Sequence, residues 1–171
     1  MFKNKNKGFT IIELIVVIAI IGVLAGIVAV NVNNYLKKSR DARRKTDISQ
    51  LMAALELYYI ERGEYPISGG ASSPNSLWSN SGDTSWNTLQ TALNGYITLP
   101  KDPINNTTGW AGGEQYNYDY YSRNYGCQQQ WYMLVYKLEN PDIISPGVRP
   151  CNGSFQNYPG TITIGKCAGC Q

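Results

Sequence analysis

The sequence predicts an α+β fold: one long N-terminal helix, its first half transmembrane and its second half packed on a small antiparallel β-sheet. Three observations lead there. Leu14 to Leu36 carries no charged side chain, and at ~1.5 Å per residue these about 23 residues suffice to cross roughly 30 Å of hydrocarbon. The helical period then continues beyond that run, because Ile48, Leu51, Met52, Leu55, Tyr58 and Tyr59 recur at three- and four-residue steps and share one face. From Pro66 onward the chain turns to Ser, Gly, Asn, Thr and Tyr, interrupted by short runs that alternate as strands do.

Composition narrows the function classes. The 171 residues suit one modest domain, and they include 15 Lys+Arg, 12 Asp+Glu, 13 Tyr, 4 Cys and no histidine. Without histidine the usual general base is missing, and so is the partner of every Ser-His or Cys-His nucleophile. No enzyme is expected. Residues 46–171 hold 6 basic against 10 acidic side chains, a balance that disfavours intrinsic nucleic-acid binding through phosphates.

The N-terminus combines Lys3, Lys5 and Lys7 with an apolar run. A secretory signal peptide would look similar, with small-residue cleavage chemistry at Val23-Leu24-Ala25. Glu13 distinguishes the two, since a carboxylate at the head of an apolar helix calls for a partner and a simple signal has no use for one. Gly8 allows the backbone to lie extended in a protease cleft, where a Cβ would obstruct close approach.

The string Lys7-Gly8-Phe9-Thr10-Ile11-Ile12-Glu13-Leu14, followed by the apolar run, resembles the class III signal of type IV pilins and type II secretion pseudopilins. The resemblance implies a pilin-like fold, cleavage between Gly8 and Phe9 by a prepilin peptidase, N-methylation of Phe9 and an assembly role for Glu13. It further implies a leader at 1–8, a transmembrane and assembly segment at 9–36, an amphipathic helix at 37–62 and a globular body at 63–171. Partners implied are further copies of the chain in a helical homopolymer, the peptidase, an assembly ATPase and a platform membrane protein. Loss of Lys3, Lys5 and Lys7 with the leader would leave 12 acidic side chains balanced by as many basic ones.

Orientation rests on opposed signals. Lys37, Lys38, Arg40, Arg43, Arg44 and Lys45 outnumber the leader's lysines and favour a cytoplasmic C-terminal flank. Four cysteines and no histidine favour an oxidising exterior for the body. The resemblance sides with the cysteines: an N-terminus in the cytoplasm, a single-pass precursor in the inner or cytoplasmic membrane, then an extracellular pilus or envelope-spanning filament. Gly22 and Gly26 make a small-xxx-small spacing suited to helix packing in lipid, or are ordinary membrane-helix glycines. The basic run itself reads as a solvated helix face, with Asp41 and Lys45 as an i,i+4 pair.

The helix is expected to run to about Ile60 or Arg62, stopped by Gly63 and Pro66. Residues 67–85 read as a loop anchored by Trp78, then a short helix from Trp86 to Leu93 ending at Asn94-Gly95, then the turn Leu99-Pro100-Lys101-Asp102-Pro103. Strand candidates are Gln115–Ser122, Gln130–Leu138 and Thr161–Ile164, a sheet of three or so strands.

Cys127, Cys151, Cys167 and Cys170 allow three pairings. Two disulfides are the expectation for an exported body, with an all-thiolate zinc site or a redox dithiol at Cys167-Ala168-Gly169-Cys170 as alternatives. A disulfide-closed tail also resembles the C-terminal loop of many pilins. Pseudopilins commonly bind calcium, and Asp102, Asn105, Asn106, Glu114 and Asp119 offer suitable oxygens without an identifying spacing. No metal site or cofactor is assigned. Tyr116, Tyr118, Tyr120, Tyr121, Tyr125, Trp131 and Tyr132 could form a binding face, with alternation placing some of them in the core.

The expected function is that of a structural, major-pilin-like subunit of a type IV pilus filament serving adhesion, motility or surface functions. The alternatives are a pseudopilin driving type II protein export and a monomeric membrane-anchored binding module.

Overall fold

A computed structural model describes residues 8–69, 77–105 and 115–170, with the side chains of 27–31 left aside. The chain divides into two compact units, Met1–Lys38 and Ser39–Gln171. Helix α1 (Ile11–Arg62) contributes to both. After it come β1 (Ser79–Asn80), α2 (Ser85–Ala92), β2 (Tyr118–Tyr121), β3 (Trp131–Tyr136) and β4 (Ile162–Cys167). The four strands form one sheet in the order β1-β2-β3-β4, every neighbour antiparallel. This is the long helix and small antiparallel sheet that the sequence predicts.

In the first unit every large apolar side chain from Phe9 to Leu24 is exposed. Among the described residues no helix is long and apolar enough to cross a membrane. Of the apolar stretch 14–36 the side chains of 27–31 lie outside the described ones, and neither described part alone reaches the ~20 residues that hydrocarbon requires.

The second unit holds the core. Ile48, Leu51 and Leu55 of α1 are buried against Trp86, Leu89 and Leu93, with Met52, Tyr58 and Tyr59 partly buried on the same cluster. This is the stripe that the helical period marks. Gly63 ends the helix at φ +74, its N–H donating to the Tyr59 carbonyl at 2.8 Å. That left-handed geometry is open to glycine at no steric penalty.

Alternation along the strands divides the sheet's two faces. Tyr118, Tyr120, Tyr132, Leu134 and Tyr136 join the helix-side cluster. Tyr121, Trp131 and Met133 point the other way and pack with Val148, Trp78, Tyr125 and Tyr158. Trp78 anchors its loop as expected, its ring centroid 4.7 Å from that of Tyr121. Both faces are covered, so Tyr118, Tyr120, Tyr121, Trp131 and Tyr132 are core and make no surface for a ligand.

α2 and β3 lie within two residues of the expected bounds at each end, whereas three strands differ in ways that have a physical cause. β1 lies inside the expected loop: Ser79 and Asn80 pair with Tyr120 and Asp119. Side-chain bonds hold it, with Asn80 Nδ2 donating to Asp119 Oδ1 at 2.6 Å, and polar residues carry no apolar alternation to read. β2 is shorter than 115–122 because Ser122 donates its N–H to Ser68 Oγ and its hydroxyl to the Trp131 carbonyl, leaving the ladder. β4 runs on to Cys167, past Gly165, where a glycine in sequence suggests an end. Gly165 lies opposite Met133, and a Cβ there would stand 2.0 Å from the Tyr132 carbonyl oxygen. The glycine is what lets the strands approach.

Candidate functional site

The N-terminal segment assembles several of the expected site residues on one short stretch. Gly8, Phe9 and Thr10 precede the helix without regular structure, and all three are exposed. An exposed, extended peptide bond is what a protease can take into its cleft. The Gly8–Phe9 bond is exposed and outside regular structure, and a Cβ at Gly8 would meet nothing within 4 Å.

Glu13 lies in the first turn of α1. Its Oε2 accepts the Thr10 N–H and the Thr10 hydroxyl, both at 2.8 Å, while its own N–H donates to Thr10 Oγ1 at 3.3 Å. Thr10 and Glu13 therefore close a reciprocal capping box, each satisfying a backbone donor that a helix start leaves without an intrahelical partner. The T-x-x-E spacing of Thr10 and Glu13 is a capping-box signal legible in the sequence. Within this chain Glu13 is engaged with Thr10 and not with Phe9. Gly22 and Gly26 lie a turn apart on α1, and a Cβ at either would meet nothing within 4 Å.

The basic run departs from the expected solvated face at Arg44, while Lys37, Lys38 and Arg43 are exposed as expected. Arg44 is fully buried. Its Nε and Nη2 hold Asp102 in a two-point grip at 2.6 and 3.0 Å, and its Nη1 donates to Asp41 Oδ1 at 2.8 Å and Glu139 Oε1 at 2.9 Å. Arg40 grips Glu139 from the other side at 2.7 and 2.6 Å. Asp41 also accepts the N–H groups of Glu139 and Asn140, and the Tyr116 ring lies 4.7 Å from the Arg44 guanidinium carbon. Lys45 binds Asp142, so the i,i+4 pair with Asp41 is not formed. Arg40, Arg44 and Lys45 of the run dock the helix on the loops that carry Asp102, Glu139 and Asp142.

Electrostatics follow from that geometry. Burial disfavours the Arg44 charge, but Asp102, Glu139 and Asp41 outweigh it and raise the guanidinium pKa above its ordinary value. The hydrogen bonds from Arg40, reinforced by Arg44, lower the Glu139 carboxyl to about 2 from its ordinary 4.5. Lys45 likewise lowers Asp142. A carboxyl whose pKa is depressed by folding contributes stability that is present above its unfolded value and lost as pH falls toward the folded one. Urea denaturation of the full chain in detergent is therefore expected to give a level midpoint from about pH 7 to 5, then a decline between about 4.5 and 2. In Glu139→Gln the decline over that interval should be shallower. An unchanged acid limb in that variant would contradict the assignment.

Three of the five oxygen ligands named for calcium have partners within the chain. Asp102 gives both oxygens to Arg44, Asn105 accepts from Ser81 Oγ, and Asp119 accepts from Asn80. Asn106 and Glu114 lie outside the described residues, as do Lys3, Lys5 and Lys7. The cysteines pair as Cys127 with Cys151 and Cys167 with Cys170, which resolves the choice that the sequence left open.

Comparison with known proteins agrees with this layout. Residues 3–29 match the family model of the prokaryotic N-terminal methylation motif, and residues 31–130 match that of type II secretion system protein G. The chain is 38% identical over 64 residues to the type IV major pilin protein PilA of Myxococcus xanthus, covering 37% of this chain and 29% of that protein. It is 40% identical over 63 residues to type II secretion system core protein G of Escherichia coli, covering 37% and 43%. With core protein G of Pseudomonas aeruginosa the identity is 31% over 126 residues, covering 71% of this chain and 85% of that one. The chain spans 29% to 46% of the length of the first curated relatives it matches. No solved structure gives a significant match. With over half its residues inside the protein G model and that motif at its start, the chain belongs to the type II secretion system protein G family of prepilin-type proteins.

Proposed function

We propose that this chain is a filament subunit of the type IV pilus kind, cut after Gly8, methylated at Phe9 and polymerised through the apolar part of α1. The observation that carries the reading is the helical surface of Leu14 to Leu24, apolar all round and exposed in the single chain. Such a surface is stable only in lipid or against other copies of itself. The precursor enters the membrane by this segment with its N-terminus in the cytoplasm, and the body, closed by two disulfides, faces an oxidising exterior. The peptidase, an assembly ATPase and a platform membrane protein are the partners this reading requires. No catalysis is required of the chain itself.

A second reading, a pseudopilus subunit of a secretion machine, is favoured by the protein G match over residues 31–130 and by the long match to the Pseudomonas aeruginosa protein. Shearing the source cells separates the two. A sheared fraction whose subunit begins at methylated Phe9 supports the pilus. The same species found only in membranes supports the pseudopilus, and a chain still beginning at Met1 overturns both.

Glu13 has a distinct expectation. With the carboxylate removed in Glu13→Ala, the precursor should still insert and be cut, since Gly8 and the apolar helix are intact. Filament yield should fall at least about tenfold, because the new amine of Phe9 would be carried into an apolar stack without a counter-charge. Filament yield at the parental level would remove Glu13 from assembly.

A further inference from the structure

The two disulfides are not separate staples. The sulfur atoms of Cys127, Cys151, Cys167 and Cys170 all lie within 4.8 Å of one another. Across the two bridges, Cys151 Sγ is 3.6 Å from Cys167 Sγ and 3.7 Å from Cys170 Sγ. Tying a tail to a sheet needs no such convergence. Four thiolates around zinc, each ~2.3 Å from the metal, stand roughly 3.8 Å apart along the edges of a tetrahedron. Two of the four cross-bridge separations have nearly that length already, and the other two are within 4.8 Å.

Backbone hydrogen bonds hold the three contributing segments together independently of sulfur. Cys167 closes the β3–β4 ladder opposite Trp131. Ala168 and Gly169 donate their N–H groups to the Gln130 carbonyl, Gln130 donates to the Cys127 carbonyl, and Asn152 donates to the Tyr125 carbonyl. Cys127 and Cys167 also pack against the cluster of Tyr121, Trp131, Met133 and Val148. The four sulfurs would thus remain neighbours with the S–S bonds open. Cys170 is exposed, which leaves a route for an ion.

We propose that in the tetrathiol state, the state in which a chain leaves the ribosome, this cluster is a four-cysteine site for zinc. An all-sulfur, tetrahedral donor set selects a soft or borderline cation of this kind. Four thiols bind one Zn²⁺ and release four protons, with no change of oxidation state. The two-disulfide form is the oxidised alternative of the same site. Two molecules of a disulfide oxidant each take two electrons from a pair of cysteine thiolates and become four thiols with the uptake of four protons, and the metal leaves. Metal and disulfides are then mutually exclusive, and the zinc form can hold the body folded before it reaches an oxidising compartment.

The test uses the full chain in detergent, reduced with a phosphine and titrated with Co²⁺ as an optical probe and then with Zn²⁺. One cobalt per chain is expected, with the thiolate-to-metal and visible bands of a tetrahedral site, displaced by zinc. Cys127→Ser, Cys151→Ser and Cys167→Ser should each weaken binding at least about tenfold. Absence of the tetrahedral spectrum overturns the proposal. Unaltered affinity in Cys127→Ser and Cys151→Ser also does, because the metal would then sit on the Cys167–Cys170 pair alone, and so does equal affinity in the urea-unfolded chain. Should the serine variants not fold, thiol alkylation of the parent decides: one equivalent of zinc should protect all four cysteines, and protection of fewer overturns the site.

Discussion

Arg44→Met is expected to destabilise the folded body by about 3–5 kcal/mol, the range for breaking a buried ion pair by removing one partner. The substitution roughly conserves the apolar stem. What it removes is the cation that Asp41, Asp102 and Glu139 share. Arg40 still reaches Glu139, but the Asp102 carboxylate is fully buried and loses both guanidinium contacts. The loss should be partly recovered in Arg44→Met with Asp102→Asn, because the amide does not bring an unpaired charge into the interior. Arg44→Lys should fall between, since an ammonium cannot reproduce the planar two-point grip on Asp102. Denaturant unfolding of the full chain in detergent reads all three. A loss below about 1 kcal/mol in Arg44→Met would mean that the seam is solvated and that the charges act as a surface network.

Gly165→Ala should be comparably damaging for a steric reason. The added Cβ would stand 2.0 Å from the Tyr132 carbonyl oxygen and 2.9 Å from Met133 Cα, both backbone atoms of β3. A flexible side chain can turn aside from such a contact; a strand held in a ladder cannot. Overpacking of a core ordinarily costs about 1–3 kcal/mol, and opening the β3–β4 pairing takes this case to the top of that range or beyond. Cys167 lies two residues further along β4, so a displaced strand should also misalign the cysteines and raise the fraction of free thiols. Gly22→Ala is the matched control, its Cβ meeting nothing within 4 Å, and should leave body stability unchanged. Equal stability of the two variants would refute the close approach at Gly165.

The expectations that held rest on neighbours in sequence. The apolar stripe of Ile48, Leu51 and Leu55 is written in three- and four-residue steps, and the structure buries those residues. The helix stop at Gly63 is likewise a local matter of one backbone angle. The capping box of Thr10 and Glu13 was equally local and could have been read from its spacing. β1 and the continuation of β4 were not legible, because one is held by side-chain hydrogen bonds to Asp119 and the other depends on how near β3 approaches.

The sequence by itself determined the N-terminal motif, the long helix, the α+β class and with them the family, since each follows from residues a few positions apart. Only the tertiary structure decided that Arg44 of the basic run is buried among carboxylates, that both sheet faces are covered, and that four cysteines meet at one point. Arg44 finds its carboxylates 58 and 95 residues away. No local period encodes such pairs, because they form only after the core brings the helix against its loops and burial makes an unpaired charge intolerable.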